Sequence, residues 1–82
     1  MMPNDLIAAL TNCLTKEYND AIMYMELSKK ANNFNGTAQI LRDIAFEEYT
    51  HACHLENILR DENKLNENSE LKEKAHNAVI SI

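Results

Sequence analysis

Hydrophobic positions in the first part of the chain recur at alternating steps of three and four, through Ile7, Leu10, Leu14, Glu17, Ala21, Tyr24, Ser28 and Ala31. That period is the signature of one helical face. A second run follows it in Leu41, Ile44, Glu48, His51, Leu55 and Ile58, and a shorter stripe holds Leu71, Ala75, Ala78, Val79 and Ile82. The pattern predicts three helices, over about 5–33, about 38–61 and about 69–81, the first opened by Asn4 or Asp5 as N-cap. Between the first two, Asn32-Asn33-Phe34-Asn35-Gly36-Thr37 holds the single glycine and several turn-tolerant asparagines, with Thr37 placed to cap the second helix. An antiparallel hairpin with a short third helix is the expected architecture, and the polar stretch from Asp61 to Asn68 separates the third helix from the hairpin.

Three members of these stripes have the wrong chemistry for a seam. Glu17, Glu48 and His51 stand where apolar residues belong, and the last two form the Glu-x-x-His sequence Glu48-Tyr49-Thr50-His51. An unpaired carboxylate in an apolar seam costs several kcal/mol in lost hydration. Two carboxylates and an imidazole placed there point to a bound cation, a metal ion above all. The register permits it: with the hairpin turning near residue 34, Glu17 and His51 lie about equally far from the turn and reach nearly the same height at roughly 1.5 Å per residue. Glu48 is one turn away.

Composition narrows the class. Eighty-two residues with one glycine, one proline and no tryptophan give one small all-α domain spanning 1–82, near the size where a metal or self-association has to supplement the core. The net charge of −5 argues against nucleic acid, whose binding rests on cationic side chains, and suits small cations. No apolar run is long enough for a membrane span and no signal-like leader is visible, so a soluble cytoplasmic protein is expected. Cys13 and Cys53 are far apart and form no Cys-x-x-Cys pair, which leaves no basis for a rubredoxin-type iron site; both are expected to be small buried or half-buried apolar residues.

Helical bundles that hold a di-iron carboxylate centre take one Glu from each of two helices and a Glu-x-x-His from each of the other two. This chain carries half of that set. Two copies about a two-fold axis complete it, with four carboxylates and two imidazoles around two metals, in a four-helix bundle. Carboxylate with imidazole suits first-row metals; four carboxylates neutralise two Fe(II) and stabilise the ferric product, so oxidation of Fe(II) by O₂ is the natural reaction.

The lone Glu17 with Tyr24 seven residues on, followed by Glu48-Tyr49-Thr50-His51-Ala52, resembles the rubrerythrin-like branch of the ferritin superfamily. The short hairpin with a third helix is most similar to the encapsulated ferritins over roughly Leu10 to Val79. That resemblance implies a homodimer, or a higher homo-oligomer, with a di-iron ferroxidase centre between subunits, Glu17, Glu48 and His51 as iron ligands, and Tyr24 as a phenol close to them. By analogy with designed di-iron bundles, Glu48 bridges both metals while Glu17 and His51 are terminal. It further implies an encapsulin-type shell partner that holds the oxidised iron inside a nanocompartment. Two departures stand against it. Lys16 and Asn19 occupy the places of the acids that guide iron inward, and no docking peptide is visible in Val79-Ile80-Ser81-Ile82.

Other readings stay open. A metal-free hairpin module could use the seam polars to fix register, as a buried Asn does in coiled coils. A rubrerythrin-like peroxidase would need a separate electron donor. His54 reads as a surface or interface residue and His76 has no ligand pattern around it. Asp20, Asp43 and Glu47 read as solvated, with Asp20 and Glu47 placed to guide cations, and Met23 and Met25 read as packing residues.

Overall fold

The computed structural model describes residues 2–64 and 69–80, with Ser69 described in its backbone alone. Three helices are present and, among the described residues, no strand: α1 Asn4–Lys30, α2 Asn35–Asp61 and α3 Ser69–Val79. α1 and α2 form the hairpin, and α3 leans mainly on α1. The molecule is a rod, 49 × 19 × 14 Å across its Cα atoms. No described helix is long and apolar enough to cross a membrane.

The helix ends differ from expectation. Pro3, not Asn4 or Asp5, is the N-cap of α1, with its carbonyl accepting from the Ile7 N–H at 3.1 Å. Fixed φ at proline starts the helix one residue early. α1 stops at Lys30, and the turn occupies 31–34. α2 begins on Asn35, so Gly36 and Thr37 lie in its first turn, Thr37 caps nothing, and Phe34 is the N-cap without a side-chain hydrogen bond. Gly36 does not take a positive φ. The left-handed residue is instead Asn63, at φ 54°, where Lys64 N–H reaches Leu59 O at 2.8 Å and Asn63 N–H reaches Arg60 O at 2.9 Å. These two bonds form a Schellman stop for α2, with Asn in the role glycine often takes. α3 ends at Val79, and the stripe position Ile82 lies outside the described residues.

Ala38, Ala45, Ala52 and Leu59, spaced by seven, form the buried line of α2, with Glu56 beside them. Leu14, Tyr18, Ala21, Met25 and Ser28 form that of α1. Alanines at repeating core positions let two helices approach closely. The expected seam passes through the larger apolar residues, and on α2 the buried line runs one residue later, a rotation of about 100°. Ala75 and Val79 of α3 close the opposite flank. Leu10 and Ile44 are therefore only half-buried, and Leu6, Leu27, Ile40 and Ile58 are exposed. These six share a flank with Glu17, Glu48 and His51 by helical spacing, which leaves an apolar face on the side away from α3.

Candidate metal centre

Glu17 projects from the middle of α1, and Glu48 and His51 from adjacent turns of α2. Each offers one ligand atom such that all lie within 4.8 Å of one another. His51 Nδ1 stands 3.7 Å from Glu17 Oε2. The side chain of Glu17 is 21% exposed and that of His51 56%, so the cluster is walled by the hairpin on one side and open on the other. Glu17 Oε2 itself is shielded from water and accepts no hydrogen bond. An acceptor oxygen in that state carries an uncompensated desolvation cost.

The two carboxylates are close enough to perturb each other. Hydrogen bonding to Glu17, then burial, then the Glu17 charge push Glu48 up to about 7, against a smaller lowering by His51. Two adjacent carboxylates cannot both ionise cheaply. A shared proton relieves that repulsion, and so does a divalent cation between them. The donor set of two carboxylates and an imidazole, one oxygen of it unsatisfied, fits a first-row metal.

The surrounding residues follow the expectations unevenly. Tyr24 is half-buried against Ala21, Met25 and Ala45 and makes no hydrogen bond among the described residues. Asp20 is paired with Lys16 at 2.8 Å, and its charge still reaches Glu48. Glu47 and His54 are exposed. His76 is exposed and lies edge-on to Tyr49, on the flank away from the cluster. Met25 is buried and Met23 exposed. Cys13 and Cys53 are both exposed thiols, contrary to the buried or half-buried placement expected, because neither falls on the line where helices meet.

The hydrophobic pattern gives no sign of a second polar group that the structure contains. Glu56 is 6% exposed and Tyr18 4%, and the Tyr18 hydroxyl donates to Glu56 Oε2. Glu56 Oε1 accepts from Lys72 of α3 at 2.6 Å and from Arg60 at 2.8 Å. Burial alone would raise the Glu56 carboxyl, but hydrogen bonds from Lys72 and Tyr18 and the charges of Lys72 and Arg60 outweigh it and hold it below its ordinary value. Burial and the Glu56 contact push the Tyr18 phenol well up. This cluster pins α3 to the hairpin. The signal that could have found it is the seven-residue line of Ala38, Ala45, Ala52 and Leu59, with Glu56 set between the last two at helical spacing.

A helical hairpin with a carboxylate and histidine cluster on one flank agrees with a ferritin-like class of protein. Within it, the chain belongs to the rubrerythrin family, whose family model matches residues 8–80. That family binds di-iron centres and includes oxidoreductases. No curated protein and no solved structure matches the chain.

Proposed function

We propose that this protein is a ferroxidase of the encapsulated-ferritin branch, which oxidises Fe(II) with O₂ at a site shared by two copies of the chain. The observation that carries it is the half-set of ligands, Glu17, Glu48 and His51 within 4.8 Å, on a flank bordered by exposed apolar residues. A contiguous apolar face on a small protein marks an interaction surface. A second copy about a two-fold axis brings its own Glu17, Glu48 and His51 to the first and covers that face. Water is then excluded from a cluster that is open in a single chain.

Fe(II) is the substrate, and bound as a pair it supplies electrons to dioxygen. Glu17, Glu48 and His51 would hold the iron, with two carboxylates and an imidazole from each chain. Glu48 must give up its proton to bind, which couples substrate binding to proton release. A rod this thin has no enclosed volume in which to keep a mineral, so the ferric product passes to a separate shell. The isolated protein is expected to precipitate ferric oxide outside itself when loaded aerobically.

Anaerobic Fe(II) titration with mass measured in parallel is the test. About one ion per chain and two per dimer supports the reading; one tightly bound ion in a monomer, or none at all, overturns it. The family match favours a second reading, a peroxidase fed by a separate electron donor. Peroxide consumption that outpaces dioxygen-driven iron oxidation would select it.

A further inference from the structure

Each ligand-bearing turn also carries a tyrosine. Tyr18 follows Glu17 and Tyr49 follows Glu48, and one residue of helix rotates the side chain by about 100°, so each tyrosine points off the metal flank toward α3. There the two rings meet, with centroids 6.1 Å apart and planes at 57°. Tyr49 in turn lies edge-on to His76, at 6.2 Å. Burial falls along this path: Tyr18 is buried, Tyr49 half-buried and His76 exposed. Three rings thus run in contact from behind the ligands to the outer surface of α3.

The inner end has a proton acceptor built in. The Tyr18 hydroxyl donates to Glu56 Oε2, while Lys72 and Arg60 occupy the other oxygen, Oε1. A buried phenol is hard to oxidise unless its proton can leave with the electron, and a carboxylate within hydrogen-bond reach provides for that. Packing alone would be served by phenylalanine, with no buried Glu to satisfy.

We propose that Tyr18 and Tyr49 form a one-electron relay that carries oxidising equivalents from the Glu17, Glu48 and His51 cluster to the surface beside His76. It rests on the iron-oxidation reading for its source of oxidant, a one-electron oxidant derived from dioxygen at the cluster. That oxidant takes one electron from Tyr18, the phenolic O–H bond breaks, and the proton passes to Glu56 Oε2. The Tyr18 radical then takes an electron from Tyr49 and recovers the proton from Glu56, while Tyr49 releases its own proton to water. A diffusing thiol- or ascorbate-class reductant returns a hydrogen atom to Tyr49. The ligands are spared oxidation each time the cluster holds an unmatched oxidising equivalent.

The test injects the oxidising equivalent at the cluster end. A ruthenium polypyridyl photosensitiser is attached to Cys13, which is exposed and one turn from Glu17 on α1. The full chain carries Cys53→Ser and Tyr24→Phe, leaving one thiol and two of the three tyrosines. Flash oxidation with a sacrificial acceptor should give a neutral tyrosyl radical that ends on Tyr49, read by electron paramagnetic resonance. Tyr49→Phe should strand it on Tyr18. Tyr18→Phe should cut the Tyr49 yield by about tenfold, and an undiminished yield overturns the relay. Glu56→Gln should lower the Tyr18 yield; if that variant does not fold, the solvent deuterium effect decides, since radical formation at Tyr18 in Tyr49→Phe must slow in D₂O, and an unchanged rate overturns the proposal. Unlabelled protein with Fe(II) and O₂, quenched by freezing, should show the same radical, lost when both tyrosines are Phe. Iron oxidation without any radical overturns the relay. If no iron is oxidised, the ferroxidase reading fails, and the flash result decides the relay by itself.

Discussion

Oε2 of Glu17 is buried and unbonded with Nδ1 of His51 3.7 Å away, too far for a hydrogen bond and near enough for both to reach one ion. A pair whose job was only to fix helix register would close that gap. The spacing leaves room for one ion between them, as the proposed metal site requires.

Glu48→Ala and His51→Ala are each expected to abolish iron oxidation, and Glu17→Ala to impair it severely. His76→Ala should leave iron oxidation intact, because His76 faces Tyr49 on the other flank. Stopped-flow absorbance of the ferric product, with circular dichroism of each variant, checks this. Equal losses in all four would indicate general unfolding instead.

Two carboxylates should bend the pH profile of the metal-free protein in opposite senses. Glu48 is raised to about 7, so between about 4.5 and about 7 the folded chain holds more protons than the unfolded one, and stability falls as pH rises through that window. Glu56 is lowered, so its contribution is present above the ordinary carboxylate value and is lost as pH falls through its folded pKa. Melting temperature against pH should therefore pass through a maximum on the acid side of neutrality. Glu48→Gln should flatten the neutral arm and Glu56→Gln the acid arm. Metal affinity should rise with pH up to about 7 and then level off, since the ion displaces the Glu48 proton; an affinity independent of pH there would contradict the assignment.

Glu56→Gln is expected to destabilise the fold by about 1.5 to 3 kcal/mol, the range for a hydrogen bond to a charged group. The loss should fall on α3 first, because Lys72 is the contact from that helix. Hydrogen exchange resolved by residue would check it: amides of 70–79 should exchange faster in the variant while those at the centre of the hairpin change less. Uniform acceleration would show that α3 and the hairpin open together.

Ile40→Glu and Ile58→Glu alter residues that are 61% and 40% exposed in a single chain. Each should change monomer stability by no more than about 0.5 kcal/mol. Association in the presence of Fe(II) should nevertheless be lost, because the new carboxylates would be buried in the covered face. Sedimentation velocity with and without Fe(II) reads the outcome, and dimers that persist in both variants would place the interface elsewhere.

The helices were legible in the sequence because a period of three and four over Ile7 to Ala31 has no competing explanation. Glu17, Glu48 and His51 stood out for the same reason, as breaks in an otherwise apolar row, and the hairpin brings them within 4.8 Å of one another. What misled was size. Leu41, Ile44 and Ile58 drew the seam toward themselves, whereas close packing selected Ala45 and Ala52, whose small side chains announce little. The same shift hid Tyr18 and Glu56, one residue off the expected line on α1 and α2. Helix ends were the weakest reading, since Pro3 took the role assigned to Asn4 or Asp5 and the cap assigned to Thr37 is absent.

The first turn of α2 sets a chemical lifetime. Asn35-Gly36 is the dipeptide in which the following backbone nitrogen attacks the side-chain amide most readily, since glycine offers no hindrance. Held helical, that nitrogen cannot reach it. The turn has no side-chain cap and no acidic residue, so fraying there should govern how fast Asn35 deamidates. The aspartate product places an acid at a helix N-terminus, favourable by roughly 0.3 to 1 kcal/mol, whereas the isoaspartate product adds a backbone atom and breaks the first turn. Gly36→Ala, which meets nothing within 4 Å, should slow the reaction. Peptide mass spectra of stored samples would show an isoaspartate fraction at 35 that the alanine variant lacks.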